Sequence, residues 1–331
     1  MKKYDIITIG GATQDIMYYT NDAQIINNKK DILKQNLIAF EYGAKILSND
    51  ITITFGGGGM NTAINCSFLG LKTATFLNLG KDWIGELILK ELKNKKINTN
   101  YINQDKKHYS GFSFIINYKH DNEHTIFGHR GSNDELIISK EKLSKINAKW
   151  FYIASLSGKE NIIKQNINTI FEKATSKNIK IAWNPGEKQI KYGHKFFKKY
   201  LKNTNFFNMN KNEAIELVLS SGIKSNNIEK IIKTIHSWGA DIISITDGIN
   251  GAYVFDGKKL YYKKATIQKC INTTGAGDAY GSSFISGMIL YKNDLEKSLK
   301  LAIQQSGNVV SKIGAQNGLM NINNLKKLLK F

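Results

Sequence analysis

Two rhythms of hydrophobic and polar positions alternate along the chain. Near-continuous apolar runs at 4–9, 73–79, 150–155, 179–183, 205–209 and 241–246 read as strands buried on both faces. Between them, apolar residues recur at helical spacing. Ile84, Leu87, Ile88 and Leu92 follow the cap residue Asp82, and Ile163, Ile167, Ile170, Phe171 and Ala174 share one side of a helix at 159–177. Further helices are expected near 210–219, 226–238 and 294–311, with a short Leu/Lys helix at the end. Such alternation argues for an α/β fold: a mostly parallel sheet with helices on both faces in three layers. Two strand-only patches interrupt it, 37–40 with 51–55, and 111–118 with 124–127 turning at His120-Asp121-Asn122. They predict a small separate β-sheet, a lid over one edge of the core contributed by about 13–55 and 108–130, while 16–36 is too polar to assign. A hairpin is expected over Asp256-Gly257.

Two glycine-rich stretches stand out against this pattern. Gly56-Gly57-Gly58-Gly59 opens a helix that stops at Gly70, and four consecutive glycines cost so much backbone entropy that close approach to a ligand is a sufficient reason for them. Asn61, just inside that helix, can offer an amide to a ligand hydroxyl. The second stretch, Asn272-Thr273-Thr274-Gly275-Ala276-Gly277-Asp278, opens a helix with Ala276, Ala279, Tyr280, Phe284 and Met288 on one face. Its small residues Gly281, Ser282, Ser283 and Gly287 allow close approach to a sheet. A glycine turn entering a helix leaves N–H groups without partners and adds the positive end of the helix dipole, which together suit a phosphate. Asp278 sits one turn in, where a carboxylate is either an ordinary first-turn acid or a base for an attacking hydroxyl. Asp15 lies just past the first strand, where open α/β sheets place ligands or where a turn residue sits. Neither a dinucleotide fingerprint nor a P-loop is present.

Composition narrows the classes. A chain of 331 residues that is 41% hydrophobic with one proline can bury a full core, as one large domain or two average ones. The net charge of +20 raises nucleic-acid binding, but the lysines are spread throughout and Arg130 is the single arginine, so only attraction of anionic small molecules is expected. Cys66 and Cys270 suit no disulfide framework or zinc site and read as small buried residues, and the six histidines lack metal-ligand spacing. With no signal-peptide pattern and no apolar run of membrane-spanning length, a cytoplasmic protein is expected.

The two glycine motifs, in this order and about 215 residues apart, resemble those of the ribokinase-like, or PfkB, carbohydrate kinases, and the resemblance runs over essentially the whole of 1–331 as one kinase domain. Asp15, Asn210-x-x-Glu213, Thr246-x-Gly248-x-x-Gly251, Arg130-Gly131-x-Asn133 and Gly314-Ala315-Gln316 also match. The resemblance implies transfer of the γ-phosphate of ATP to a sugar hydroxyl. Asp278 would be the base and the backbone of Gly275, Ala276 and Gly277 the anion hole. Asp15, Gly57, Gly58 and Asn61 would bind the sugar, with Arg130 reaching phosphates or substrate from beneath the lid. Asn210 and Glu213 would organise Mg²⁺ through water. Thr246, Gly248 and Gly251 would border ATP, with Asn308 near the adenine. Asn272 replaces the usual Asp of a monovalent-cation site and leaves K⁺ activation open. Gly58 and Met60 depart from the ribokinase pattern and weigh against ribose. An adenosine-type nucleoside kinase and a non-catalytic binder on the same fold are the alternatives, and the lid edges could pair in a homodimer.

Overall fold

The computed structural model describes residues 3–27, 36–48, 50–118, 124–266 and 270–330, so the expected turn at His120-Asp121-Asn122 lies outside the described residues. Strand β1 (Tyr4–Ile9) is followed after only three residues by β2 (Thr13–Thr20). Among the described residues, strands β3 (Gln24–Asn27) and β4 (Asn36–Ala39) pair only with each other. Strand β5 (Asp50–Gly56) leads through Gly57 into helix α1 (Gly58–Phe68). The expected strand at 73–79 breaks into β6 (Thr73–Phe76) and β7 (Asn78–Gly80), and the latter leaves the main sheet to pair with β8 (Asn103–Asp105). Between them α2 (Trp83–Asn94) is capped by Asp82, whose carboxylate accepts from the Gly85 N–H. Strands β9 (Gly111–Tyr118) and β10 (His124–His129) form the expected hairpin.

The second half keeps the alternation: α3 (Lys140–Ser144), β11 (Ala148–Ile153), α4 (Glu160–Lys177), β12 (Lys180–Trp183), α5 (Glu187–Ile190), α6 (Gly193–Leu201), β13 (Phe206–Asn210), α7 (Lys211–Leu219), α8 (Ile228–His236) and β14 (Ile243–Thr246). Hairpin β15 (Ala252–Phe255) and β16 (Leu260–Lys263) precedes the helices α9 (Ala276–Leu290), α10 (Leu295–Val310) and α11 (Ile322–Leu329). The main sheet runs β16-β15-β14-β13-β12-β11-β1-β6, parallel from β14 to β6 and closed at one edge by the antiparallel hairpin. Among the described residues no helix is long and apolar enough to cross a membrane.

A second sheet, β10-β9-β2-β5, stands at the carboxyl end of β1. Of its two inner strands, β2 is not legible in the sequence, because residues 13–20 mix polar and apolar side chains and gain their partners from β5 and β9, far along the chain. Only 50–56 of the first expected strand pair joins this sheet, since 36–39 belongs to the separate ribbon. Asp15 is therefore a strand residue, 5% exposed, and neither a loop nor a cap residue. Asn133 holds the start of that strand: its Oδ1 accepts from the Ala12 N–H and its Nδ2 donates to the Ala12 carbonyl, both at 2.9 Å.

Helix α9 differs from the one-faced helix expected. Every residue from Ala279 to Met288 is buried, as befits a helix enclosed on all sides. Its small residues meet three different neighbours. Gly281 faces the sheet, Ser282 and Ser283 accept hydrogen bonds from Asn65 of α1, and Gly287 lies against Ser298 of α10. A Cβ on Gly281 would sit 2.2 Å from the buried Tyr152 hydroxyl, which has no hydrogen-bond partner among the described residues. Gly281→Ala is expected to cost about 1–3 kcal/mol by overpacking. Most of that should return in Gly281→Ala/Tyr152→Phe, where the clashing oxygen is gone. Urea denaturation of the three proteins checks this, and equal losses in the single and double variants would refute it.

Candidate active site

Parallel strands end at one side of the main sheet, and the candidate residues collect there. Gly57 has φ +90, and a Cβ on it would lie 2.6 Å from the Gly11 carbonyl oxygen and from Ala12 Cα, so only glycine lets this turn press on the end of β1. The Gly11 carbonyl in turn accepts from two N–H groups in the first turn of α1, Gly59 at 3.0 Å and Met60 at 3.2 Å. On either side of Gly57 stand two carboxylates. A Cβ on Gly56 would be 2.3 Å from Asp15 Oδ2, and one on Gly58 would be 3.3 Å from Asp278 Oδ1. The glycine run is thus the wall between Asp15 and Asp278, with room for a ligand where side chains are missing.

At the other wall, the turn before α9 begins with Asn272, whose Oδ1 accepts from the Thr274 N–H at 3.0 Å. The Asn272 side-chain oxygen is thus used within the turn itself. Gly275 caps the helix at φ +79, with its missing Cβ position 2.4 Å from the Ala315 Cβ. Among the described residues the N–H groups of Gly277 and Asp278 have no hydrogen-bond partner, whereas the next one, Ala279, bonds to the Gly275 carbonyl. Two free N–H groups at the positive end of a 15-residue helix make a place for an anion.

Asn61, expected at a substrate hydroxyl, bonds within the protein to two residues far along the chain. Its Nδ2 donates to Asp278 Oδ2 at 2.8 Å, and its Oδ1 accepts from Gln316 Nε2 at 2.9 Å. Both ends of the carboxamide are thus engaged with the protein, which makes Asn61 a support for the carboxylate. Burial pushes the Asp278 carboxyl above its ordinary range, and the Asn61 bond draws it partly back. Asp15 is shifted the same way by burial, opposed by hydrogen bonds from Ser113 and Thr13 and by the charge of Arg130. Arg130 itself is exposed, and its guanidinium makes no hydrogen bond or ion pair with the described residues.

On the far flank of the α9 N-terminus a cleft runs from Thr246, Gly248 and Gly251 past Ile249 and Val310 to Gly277. Thr246 and both glycines expected beside a nucleotide lie in it. Asn308 does not join them: its carboxamide takes a hydrogen bond from Gln304 and reaches Met320, while Ser306 and Gly307 of the same helix line the cleft. The helical turn decides this, since 308 points away from the side that 303, 306, 307 and 310 share. Cys66 is buried as expected, but Cys270 is exposed and borders the cleft.

Asn210 pairs with Thr246 across β13 and β14, which brings Glu213 to the same end of the sheet. The two form a reciprocal cap, Asn210 Oδ1 accepting from the Glu213 N–H and Glu213 Oε2 from the Asn210 N–H, each at 2.9 Å. The Asn-x-x-Glu spacing therefore has a structural cause beside any ligand role. Burial raises the Glu213 carboxyl; the Asn210 N–H opposes that rise, and Glu187 and Glu216 add to it. The reading of the sequence missed Lys211, whose amine pairs with Asp247 at 3.0 Å beside Thr246, because nothing local distinguishes it from the other lysines.

The model of the pfkB family carbohydrate kinases matches residues 27–322. The chain is 23% identical over 333 residues to an ATP-dependent 6-phosphofructokinase of Thermoanaerobacterium thermosaccharolyticum, covering 99% of this chain and 94% of that protein. Its fold is similar to that of Arabidopsis thaliana ribokinase complexed with ribose and ATP, at a TM-score of 0.80, 19% identity and 100% of both chains. It is also similar to Burkholderia thailandensis nucleoside kinase in complex with inosine, at a TM-score of 0.77, 15% identity, 98% of this chain and 97% of that one. With the family model matching most of its length, the chain belongs to the pfkB family of carbohydrate kinases.

Proposed function

We propose that the protein transfers the γ-phosphate of ATP to a hydroxyl of a sugar. The observation that carries this reading is the position of Asp278: its carboxylate stands beside free helix N–H groups, with an apolar cleft on one flank and the Asp15 carboxylate on the other. The cleft suits a nucleotide, since Ile249, Ile303 and Val310 offer an apolar slot and Gly248, where a Cβ would meet nothing within 4 Å, lets a flat ring come close. The phosphate end then meets the Gly277 and Asp278 N–H groups. Asp15 orients the acceptor by accepting from its hydroxyls, and Asp278 takes the proton as the acceptor oxygen bonds to the γ-phosphorus and the bond to the β-phosphate oxygen breaks. Mg²⁺ arriving with ATP would neutralise phosphate charge. Glu213, in acidic surroundings, suits its waters better than direct ligation, as no group of three or more metal-binding side chains forms among the described residues.

A nucleoside acceptor is the second reading, favoured by the likeness to the nucleoside kinase. Release of ADP from ATP and Mg²⁺ with ribose, fructose, fructose 6-phosphate, adenosine or inosine tests both. Turnover with sugars is expected. Turnover with nucleosides alone would favour the second reading. Nucleotide binding without ADP release on any acceptor would leave a non-catalytic binder.

A further inference from the structure

We propose that Gln316 is a positioning residue for the reaction: its side-chain N–H holds the Asn61 carboxamide in the one orientation that presents N–H, and not carbonyl oxygen, to Asp278. The inference rests on the reading of Asp278 as the base. A carboxamide is nearly symmetric in shape, so shape alone cannot decide which end of Asn61 faces the carboxylate. Its two neighbours decide together, since an ionised Asp278 can only accept and Gln316 offers a donor to the other end. Gln316 Nε2 donates to Asn61 Oδ1 at 2.9 Å, which leaves Asn61 Nδ2 to donate to Asp278 Oδ2 at 2.8 Å. Turned over, Asn61 would set its carbonyl oxygen against the carboxylate, and two acceptors would face each other without a proton.

The segment carrying Gln316 is anchored at two places beside the site and closed by a local turn. Ala315 is buried against Gly275 at the start of the anion hole, where the missing Cβ position is 2.4 Å from the Ala315 Cβ. Gly314, at φ +86, lies under Thr54 of β5, with 2.8 Å between its missing Cβ position and Thr54 Cγ2. The Gln316 carbonyl accepts from the Leu319 N–H at 3.1 Å. The amide that fixes Asn61 is therefore held on a backbone packed against both walls of the site.

The groups facing Asp278 are Asn61 and Gly58 from α1 and, from β11, Tyr152, whose ionisation the Asp278 charge opposes. Burial raises the carboxyl and the Asn61 bond is the opposing influence, so loss of that bond should move the acid limb of kcat/KM to higher pH.

The test is the pH profile of kcat/KM for Gln316→Met, Gln316→Glu, Asn61→Ala, Asn61→Ala/Gln316→Met and Asp278→Asn. Gln316→Met is expected to shift the acid limb up by about one pH unit, roughly tenfold in rate below the limb, with a much smaller change on the plateau. Gln316→Glu can only accept, turns the Asn61 carbonyl toward Asp278, and should lose more. In the Asn61→Ala background the Gln316→Met shift should vanish, because Gln316 acts through Asn61. An unmoved limb in both Gln316 variants beside an inactive Asp278→Asn would overturn the proposal while leaving the base assignment standing. So would a shift that persists undiminished without Asn61. An active Asp278→Asn would instead remove the base assignment on which the proposal rests.

Discussion

Asp278→Asn is expected to lower kcat by on the order of 10²–10⁴-fold while the folded protein becomes no less stable at neutral pH. The two halves of this result have one cause. Asp278 is a half-buried residue whose surroundings hold its carboxyl, in the folded state, above its unfolded pKa, desolvation outweighing the Asn61 bond. A group shifted upward stabilises the fold fully only below its unfolded pKa, and that contribution is lost as pH rises through the raised folded pKa. At neutral pH the ionised carboxylate is therefore a net cost to folding, which a neutral amide of the same shape removes. Asn61 can still donate to the new carboxamide oxygen. Steady-state rates with saturating ATP, together with urea denaturation at neutral pH, check the prediction. Turnover close to that of the parent protein would refute the base assignment. A marked loss of stability with the loss of rate would point to a structural carboxylate.

Gly277→Ala carries the second large effect, and it separates function from folding. Gly275 has structural reasons to be glycine, a positive φ and the Ala315 methyl in the way. Gly277 has neither. Its backbone is not in the left-handed region, and a Cβ there would meet nothing within 4 Å. At the second position of a helix, alanine should stabilise the fold by up to about 1 kcal/mol. Yet Gly277 borders the cleft, so the methyl would project where the transferring phosphate is proposed to lie. A displacement of about 1 Å there is expected to cost on the order of 10²-fold in kcat/KM for ATP. An alanine variant that melts at or above the parent temperature and turns over poorly is the expected outcome. Parent-like kinetics would mean that no phosphate approaches this end of α9.

Much of the main sheet was legible because its strands are long apolar runs and its helices have periodic faces; both patterns are local. The strands at 150–153 and 243–246 needed no partner to be recognised. β2 was not legible: Thr13, Asp15 and Met17 become a strand face only when β5 and β9 arrive from elsewhere in the chain. The site divided in the same way. Glycine spacing pointed to the anion hole and to the turn at Gly57, since backbone requirements leave a mark on the sequence. Side-chain direction does not, which is why Asn308 was expected in a cleft that its helix turns it away from, and why the bond from Asn61 to Asp278 was not foreseen.

The sequence by itself determined most strands and the longer helices of the main sheet, the two glycine turns and the carboxylate that follows the second one. Local preference for backbone shape and periodic burial are sufficient for those. Only the tertiary structure decided that Asp278 is met by Asn61, Asn61 by Gln316, and Gly275 by Ala315. Each of these contacts joins residues far apart in the chain, and a polar side chain in the interior takes its role from whichever donor or acceptor the packing delivers to it.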